Sequence, residues 1–217
     1  MPDRRSYRDS CGIARGLDVA GERWALLIVR ELLLGPKRFT DLREGLPSVS
    51  PDVLAQRLRE LEQSGVVRRR KLPPPAGARV YELTERGAEL EPVLLALGRW
   101  GSRVPLSDEP SPLSADALVV ALKTMFDPAV AVGRSGVYEL RFGEHAFTVR
   151  LTGGELDVAR DGTAAPDTTL AIETDTGTLA ELLWHGASLT AAIDAGALKF
   201  DGDQRELAGF LKLFAAS

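Results

Sequence analysis

The sequence predicts an α+β chain built in two parts. Three observations predict it: a capped helix and a proline-tipped hairpin between residues 39 and 86, strictly alternating strands after residue 136, and a change of charge between the halves. Residues 1–105 hold 19 Lys and Arg against 14 Asp and Glu, whereas residues 106–217 hold 8 against 17. The halves thus carry about +5 and −9, although the whole chain is only −4. Opposite charge of that size implies different partners, and an acidic half is a poor match for DNA. At 217 residues the chain also exceeds the roughly 100 to 150 usual for one domain. The run VPLSDEPSPLS, residues 104–114, has three prolines and three serines and reads as a linker. The expected division is therefore 1–103, a linker at 104–114, and 115–217.

In the first part, Ser50 is a favourable N-cap, Pro51 suits the first helical position, and Gly65 supplies the stop. Between them Leu54, Leu58 and Leu61 recur at spacings that face a core. Asp52, Gln56, Arg59 and Gln63 recur on the opposite face. Two strand-like runs follow, Val66, Val67 and Leu72 and then Val80, Tyr81 and Leu83, joined through Pro73, Pro74, Pro75 and Gly77. Arg68, Arg69, Arg70 and Lys71 lead into that tip and Arg79 leaves it. Residues 39–86 therefore read as two short helices, a hairpin and a third helix, which is the order of a winged helix-turn-helix. A polar helix face suits the major groove, and a cation-rich hairpin suits phosphates, so double-stranded DNA is the expected partner. The expected DNA-binding set is Ser50, Pro51, Asp52, Ala55, Gln56 and Arg59 on the helix with Arg68, Arg69, Arg70, Lys71 and Arg79 on the hairpin. Taken alone, the basic run also fits a strand edge kept charged against unwanted pairing.

Residues about 8–103 resemble the HxlR-type bacterial transcriptional regulators, relatives of the MarR-type winged-helix proteins. The resemblance rests on Cys11 ahead of the first helix, GERW at Gly21 to Trp24, RELLLGPKRFTDL at Arg30 to Leu42, QRLRELEQSG at Gln56 to Gly65, and YELTERG behind the hairpin. It departs from the family at Asp52, where a basic or polar residue is common. An acidic group there repels phosphate and can accept from a cytosine amino group.

Residues 88–100 place Leu90, Val93, Leu94, Leu97 and Trp100 on one side of a helix. So small a domain leaves that stripe little to cover, and pairing with a second copy is the expectation; packing within the chain is the alternative. The resemblance implies the dimer, formed by the N-terminal and post-wing helices, which would present two recognition helices to a near-palindromic operator. It also implies a candidate sensor role for Cys11, with Arg8 and Arg15 placed to favour its reactive form. The competing reading is a small buried residue supporting the dimer helix.

The second part opens with a helical stretch, LSADALVVALKTMF. Tyr138, Leu140 and Phe142 alternate on one strand, and Phe147, Val149 and Leu151 on the next; Gly153 and Gly154 make a two-residue turn into Leu156 and Val158. Leu170 to Ile172 is another apolar run. Helical patterns follow at Gly177 to His185, Leu189 to Ala195 and Arg205 to Phe214. An antiparallel meander backed by helices is expected. This order, and above all TLAELLWHGASLTAAIDAGALKFDGDQRELAGFLKLF with its Gly202-Asp203 step, resembles the sterol-carrier-protein family over about residues 115–215. That resemblance implies a space for a small hydrophobic ligand, lined by Phe142, Phe147, Trp184, Phe200, Phe210, Leu211 and Phe214, which are equally suited to a filled core.

Catalysis finds little support. His145 and His185 are the only histidines and Cys11 the only cysteine, so a nucleophile pair or zinc cluster would need distant residues. No cofactor or metal is expected, His185 reads as a helix-end residue, and an intramolecular disulfide is excluded. No stretch reaches the eighteen or so apolar residues that span a bilayer, and MPDRRSYRDS lacks a signal-peptide core, so no membrane partner and a cytoplasmic location are expected. The sequence thus reads as a homodimeric DNA-binding regulator, with repression its expected sign. The alternative is a small-hydrophobe carrier with an accessory basic domain.

Overall fold

The structure is a computed structural model that describes residues 6–74, 77–104, 113–160 and 167–215. Two compact units, residues 1–94 and 95–217, divide within a helix. The first unit carries α1 (Gly12–Ala20), α2 (Ala25–Leu32), α3 (Phe39–Gly45), α4 (Pro51–Gln63), β1 (Val67–Lys71), β2 (Arg79–Leu83), α5 (Glu85–Ala88) and the start of α6 (Glu91–Gly101). Its core is aliphatic: Ile28 and Val29 of α2, Leu42 of α3, and Leu54, Leu58 and Leu61 of α4 are all fully buried. Removing one such leucine side chain would cost about 2 to 5 kcal/mol, so each of them contributes substantially to holding the helices together.

The α4 boundaries follow the sequence. The Ser50 hydroxyl accepts from the Val53 amide at 3.4 Å, and Gly65 takes φ +70° directly after the Ser64 C-cap. A left-handed residue turns the chain out of α4 into β1, and only glycine takes it without a steric cost. Gly87 of α5 is required for a different reason, since a Cβ there would sit 2.1 Å from the Val66 carbonyl oxygen. The Thr84 hydroxyl donates to the Gly65 carbonyl at 2.6 Å and accepts from the Gly87 amide at 3.0 Å, closing the base of the hairpin. β1 and β2 pair from Val67↔Leu83 to Lys71↔Arg79, and Leu72 adds one further bond to Ala78. Lys37 forms an isolated antiparallel bridge to Tyr81, which gives the hairpin a one-residue third strand. Residues 75 and 76, including Pro75 of the expected tip, lie outside the described residues, as do residues 105–112 of the expected linker.

The second unit has a five-stranded sheet ordered β5-β4-β3-β6-β7, from β3 (Gly136–Phe142), β4 (His145–Thr152), β5 (Glu155–Arg160), β6 (Leu170–Thr174) and β7 (Leu198–Asp201). Helices α7 (Ala115–Met125), α8 (Thr176–Trp184), α9 (Leu189–Asp194) and α10 (Gln204–Lys212) accompany it. Gly153 and Gly154, both at positive φ, join Thr152 to its partner Glu155 as the two-residue turn requires. The expected antiparallel meander is corrected at one pair. β6 runs parallel to β3, with Leu140 opposite Ile172, while the other three pairs are antiparallel. Alternation shows which face of a strand is buried, but it reads the same in either direction, so it could not settle this pairing.

Candidate nucleic-acid interface

The stripe on α4 divides by exposure. Asp52, Arg59 and Gln63 are exposed, Gln56 and Ala55 half-buried, and Ser50 and Pro51 exposed at the N-terminal end. Val53 is exposed there too, an apolar group suited to a thymine methyl that the polar-stripe reading passed over. Two of the stripe's side chains, Gln56 and Arg59, are already engaged with each other. Gln56 Nε2 donates to Glu60 at 2.6 Å, Arg59 Nη2 donates to Gln56 Oε1 at 2.7 Å, and Arg57 pairs with Glu60 and with Glu22. A base edge that engages Gln56 must therefore replace hydrogen bonds within the helix rather than fill an empty position.

The hairpin cations separate into two groups. Arg68 and Arg70, two residues apart on one face of β1, both direct Nε to Glu82 at 2.8 Å. Burial pushes the Glu82 carboxyl up, but the hydrogen bonds and charges of the two arginines outweigh it and hold the group below the ordinary carboxylate value. Arg69 faces the other way. Its guanidinium lies 5.1 Å from the centre of the Tyr81 ring, and its Nε is 3.5 Å from Glu62 of α4. Lys71 and Arg79, both exposed, are direct cross-strand partners. Like charges held opposite each other destabilise a hairpin, and a phosphate between them would relieve that repulsion.

On α3, Thr40, Arg43 and Glu44 line a shallow cleft, and Thr40 and Arg43 are exposed. The first helix of a helix-turn-helix crosses the DNA backbone, so these positions were findable from the motif's docking geometry although no stripe marks them.

Along α6 and the residue before it, Leu90 and Leu94 pack on the first core, whereas Val93, Leu97 and Trp100 are exposed, Trp100 to 68%. The five residues expected on one interface thus divide in the single chain. Ile13 and Leu17 of α1 are exposed as well, 75% and 44%. Cys11 is exposed at the N-cap of α1, with its amide donating to Asp9 at 2.8 Å; burial, the alternative reading for it, is not met within one copy.

In the second unit Phe142, Phe147, Phe210 and Phe214 are buried, and Trp184, Phe200 and Leu211 half-buried. The buried rings meet one another: Phe210 and Phe214 at 5.1 Å, Phe142 and Phe147 at 6.1 Å, and Phe210 also meets Tyr138 at 4.6 Å. Trp184 Nε1 donates to the Phe214 carbonyl at 3.1 Å. Among the described residues no group of three His, Cys, Asp or Glu could hold a metal, and no helix is long and apolar enough to cross a membrane.

Residues 110–217 match the alkyl sulfatase C-terminal family, a different name from the sterol-carrier resemblance, and residues 19–108 match the HxlR-like helix-turn-helix family. The solved reduced form of the regulator YodB from B. subtilis aligns with 36% identity over 44% of this chain and 95% of that one, with a TM-score of 0.40. The curated sequence of YodB from Bacillus subtilis (strain 168), an HTH-type transcriptional regulator, is 41% identical over 83 residues, 38% of this chain and 74% of YodB. The HTH-type transcriptional regulator YvaP of the same organism is 39% identical over 88 residues, 41% of this chain and 82% of YvaP. Identity at that level over most of two regulators, together with the family match over residues 19–108, which carry the capped helix and basic hairpin, places the chain in the HxlR-like helix-turn-helix family of DNA-binding transcriptional regulators.

Proposed function

We propose that the chain is a homodimeric repressor that reads a near-palindromic operator, with residues 1–103 as the DNA-binding and dimerisation part and residues 115–217 as an effector part joined through 104–114. The observation that carries the reading is the exposed stripe Asp52, Arg59 and Gln63 on α4 beside a hairpin with five cations. Dimerisation is supported by the exposed apolar residues Ile13, Leu17, Val93, Leu97 and Trp100, on the helix before the motif and the helix after it. The cytoplasm is the compartment in which such a protein meets DNA.

The test is a band-shift titration of the full chain on duplexes it selects from a random library, against an unselected duplex of equal length. Gln56→Ala and Arg59→Ala should each lose about 1 to 3 kcal/mol on the selected duplex and little on the other. Equal losses on both would make them backbone contacts. Wild-type protein that selects no sequence at all would remove the regulatory reading.

Two regulatory inputs belong to the same proposal. The half-buried Trp184, Phe200 and Leu211 are the members of the candidate pocket that a hydrophobic ligand could touch without displacing a buried ring. Cys11, exposed at the start of α1, is placed to change the dimer surface if oxidised. The carrier reading keeps the ligand but gives it no effect on operator binding, so operator affinity measured with and without a panel of lipids and aromatic compounds separates the two.

A further inference from the structure

Glu31 of α2 is fully buried, and it holds a cation on each oxygen: Lys37 Nζ at 2.6 Å from Oε2 and Arg30 Nη2 at 2.9 Å from Oε1. Lys37 is itself only 7% exposed. Its backbone is the isolated third strand of the hairpin, donating to the Tyr81 carbonyl at 2.9 Å and accepting from the Tyr81 amide at 2.8 Å. The end of α3 closes on the same carboxylate, since a Cβ on Gly45 would stand 2.4 Å from Glu31 Oε2. Tyr81 continues outward, for its ring carries the Arg69 guanidinium, which reaches Glu62 on the recognition helix.

One buried carboxylate therefore links the elements that face DNA. It touches α3 at Gly45, fixes Lys37, and through Lys37 and Tyr81 fixes the strand that carries Glu82, the partner of Arg68 and Arg70. A surface ion pair would be too weak and too mobile to hold such geometry, but a buried one is constrained by its desolvation to a single arrangement. Apolar residues of equal volume could fill the space as stably. They would not fix the rotation of the hairpin about its contact with the core.

We propose that Glu31 and Lys37 are positioning residues for operator recognition, setting the hairpin's cations at a fixed offset from the base-reading face of α4 without touching DNA themselves. The inference rests on the DNA-binding reading above and adds to it a determinant of specificity inside the core. Hairpin cations held at that offset can meet phosphates only when α4 is seated in register, so losing the offset weakens the cognate complex. A random duplex, bound in many registers, loses little.

The test uses the full-length double variant Glu31→Gln/Lys37→Met, which removes both charges of the buried pair and leaves the partly exposed Arg30 an amide oxygen to donate to. Melting temperature is measured first, then affinity for the selected and the unselected duplex as a function of salt. The expected result is a folded protein whose affinity for the selected duplex falls by about tenfold or more, while affinity and salt slope on the unselected duplex stay the same. Lys37→Arg, which keeps the charge but changes the reach of its donors, should lower the selected-to-unselected ratio in the same direction, and it decides the matter if the double variant does not fold. An unchanged ratio in a folded variant overturns the proposal. Equal losses on both duplexes with a slope reduced by about 0.9 also overturn it, by making Lys37 a phosphate ligand. Those two outcomes leave the regulatory reading standing; a wild-type chain that selects no sequence removes both.

Discussion

The two units differ in where their informative residues stand, outside the core in the first and within it in the second. In the first, the core is aliphatic, Ile28, Leu42, Leu54, Leu58 and Leu61, and the groups suited to DNA stand outside it on α4 and the hairpin. In the second, four of the residues expected from the sequence to line a ligand space, Phe142, Phe147, Phe210 and Phe214, are themselves buried and meet in pairs. A surface that binds a charged polymer can be recognised because its residue types differ from those of a core. An apolar ligand site is built from core residue types, so neither composition nor periodicity separates lining from filling.

That contrast breaks most visibly at Phe210. If its ring is core, Phe210→Ala should destabilise the second unit by about 3 to 5 kcal/mol, read as a shift in the denaturant midpoint of the full chain followed by tryptophan fluorescence. A loss under about 1 kcal/mol would show that the ring borders an accommodating space, and would favour the ligand reading.

The exposed apolar residues of α6 sharpen the other side of the comparison. Leu97→Asp should weaken self-association by about 2 kcal/mol or more, since a charge would have to be buried in the proposed interface, and sedimentation at dilute concentration reads the monomer fraction. No change would return Leu97 to the ordinary exposed surface.

Glu82 gives a smaller and oppositely signed effect. Replacing it by Gln removes the anion between Arg68 and Arg70, so affinity for unselected DNA should rise, and the salt slope should steepen by roughly 0.9 for each further phosphate that the released arginines neutralise. A fall in affinity would mean that Glu82 orients both guanidinium groups for phosphate, and that orientation outweighs the added charge.

The smallest effects are in the pH dependence. Glu82 is held low by its two arginines against the opposing effect of burial, and Asp175, the N-cap of α8, is held low by hydrogen bonds from the Thr178 hydroxyl and amide. Groups depressed in the folded state contribute stability that is present above the ordinary carboxylate value, near 4, and is lost as pH falls through their folded values. Stability should therefore decline below about pH 4, and less steeply after Asp175→Asn. Tyr138 has the opposite sign. Burial and its hydrogen bond to Glu206 push the phenol up to about 12, so its contribution is present below the ordinary value near 10 and is lost as pH rises toward 12. Tyr138→Phe should remove that alkaline component.

Much of the first unit could be read residue by residue. Ser50, Pro51 and Gly65 marked both ends of α4, and the leucines of the helix marked its buried face, because caps and periodicity are local properties of the chain. The sequence also marked β3, β4, β5 and β6 of the second unit and the Gly153-Gly154 turn, since a side-chain period of two and a two-glycine turn need no distant partner, whereas the four-residue β7 is too short to show a period and was not marked. It did not contain the pairing of β6 beside β3, because alternation carries no direction. The division of the wing arginines between Glu82 and Tyr81 was likewise absent from it. A basic run shows how many cations are present, but the cross-strand register decides which of them are neutralised. Glu31 and Lys37 were legible only as two charged members of the run RELLLGPKRFTDL. Tertiary packing decided that they are buried together, because helix α2, the end of α3 and the third strand of the hairpin converge on one carboxylate whose charge the interior tolerates only when paired.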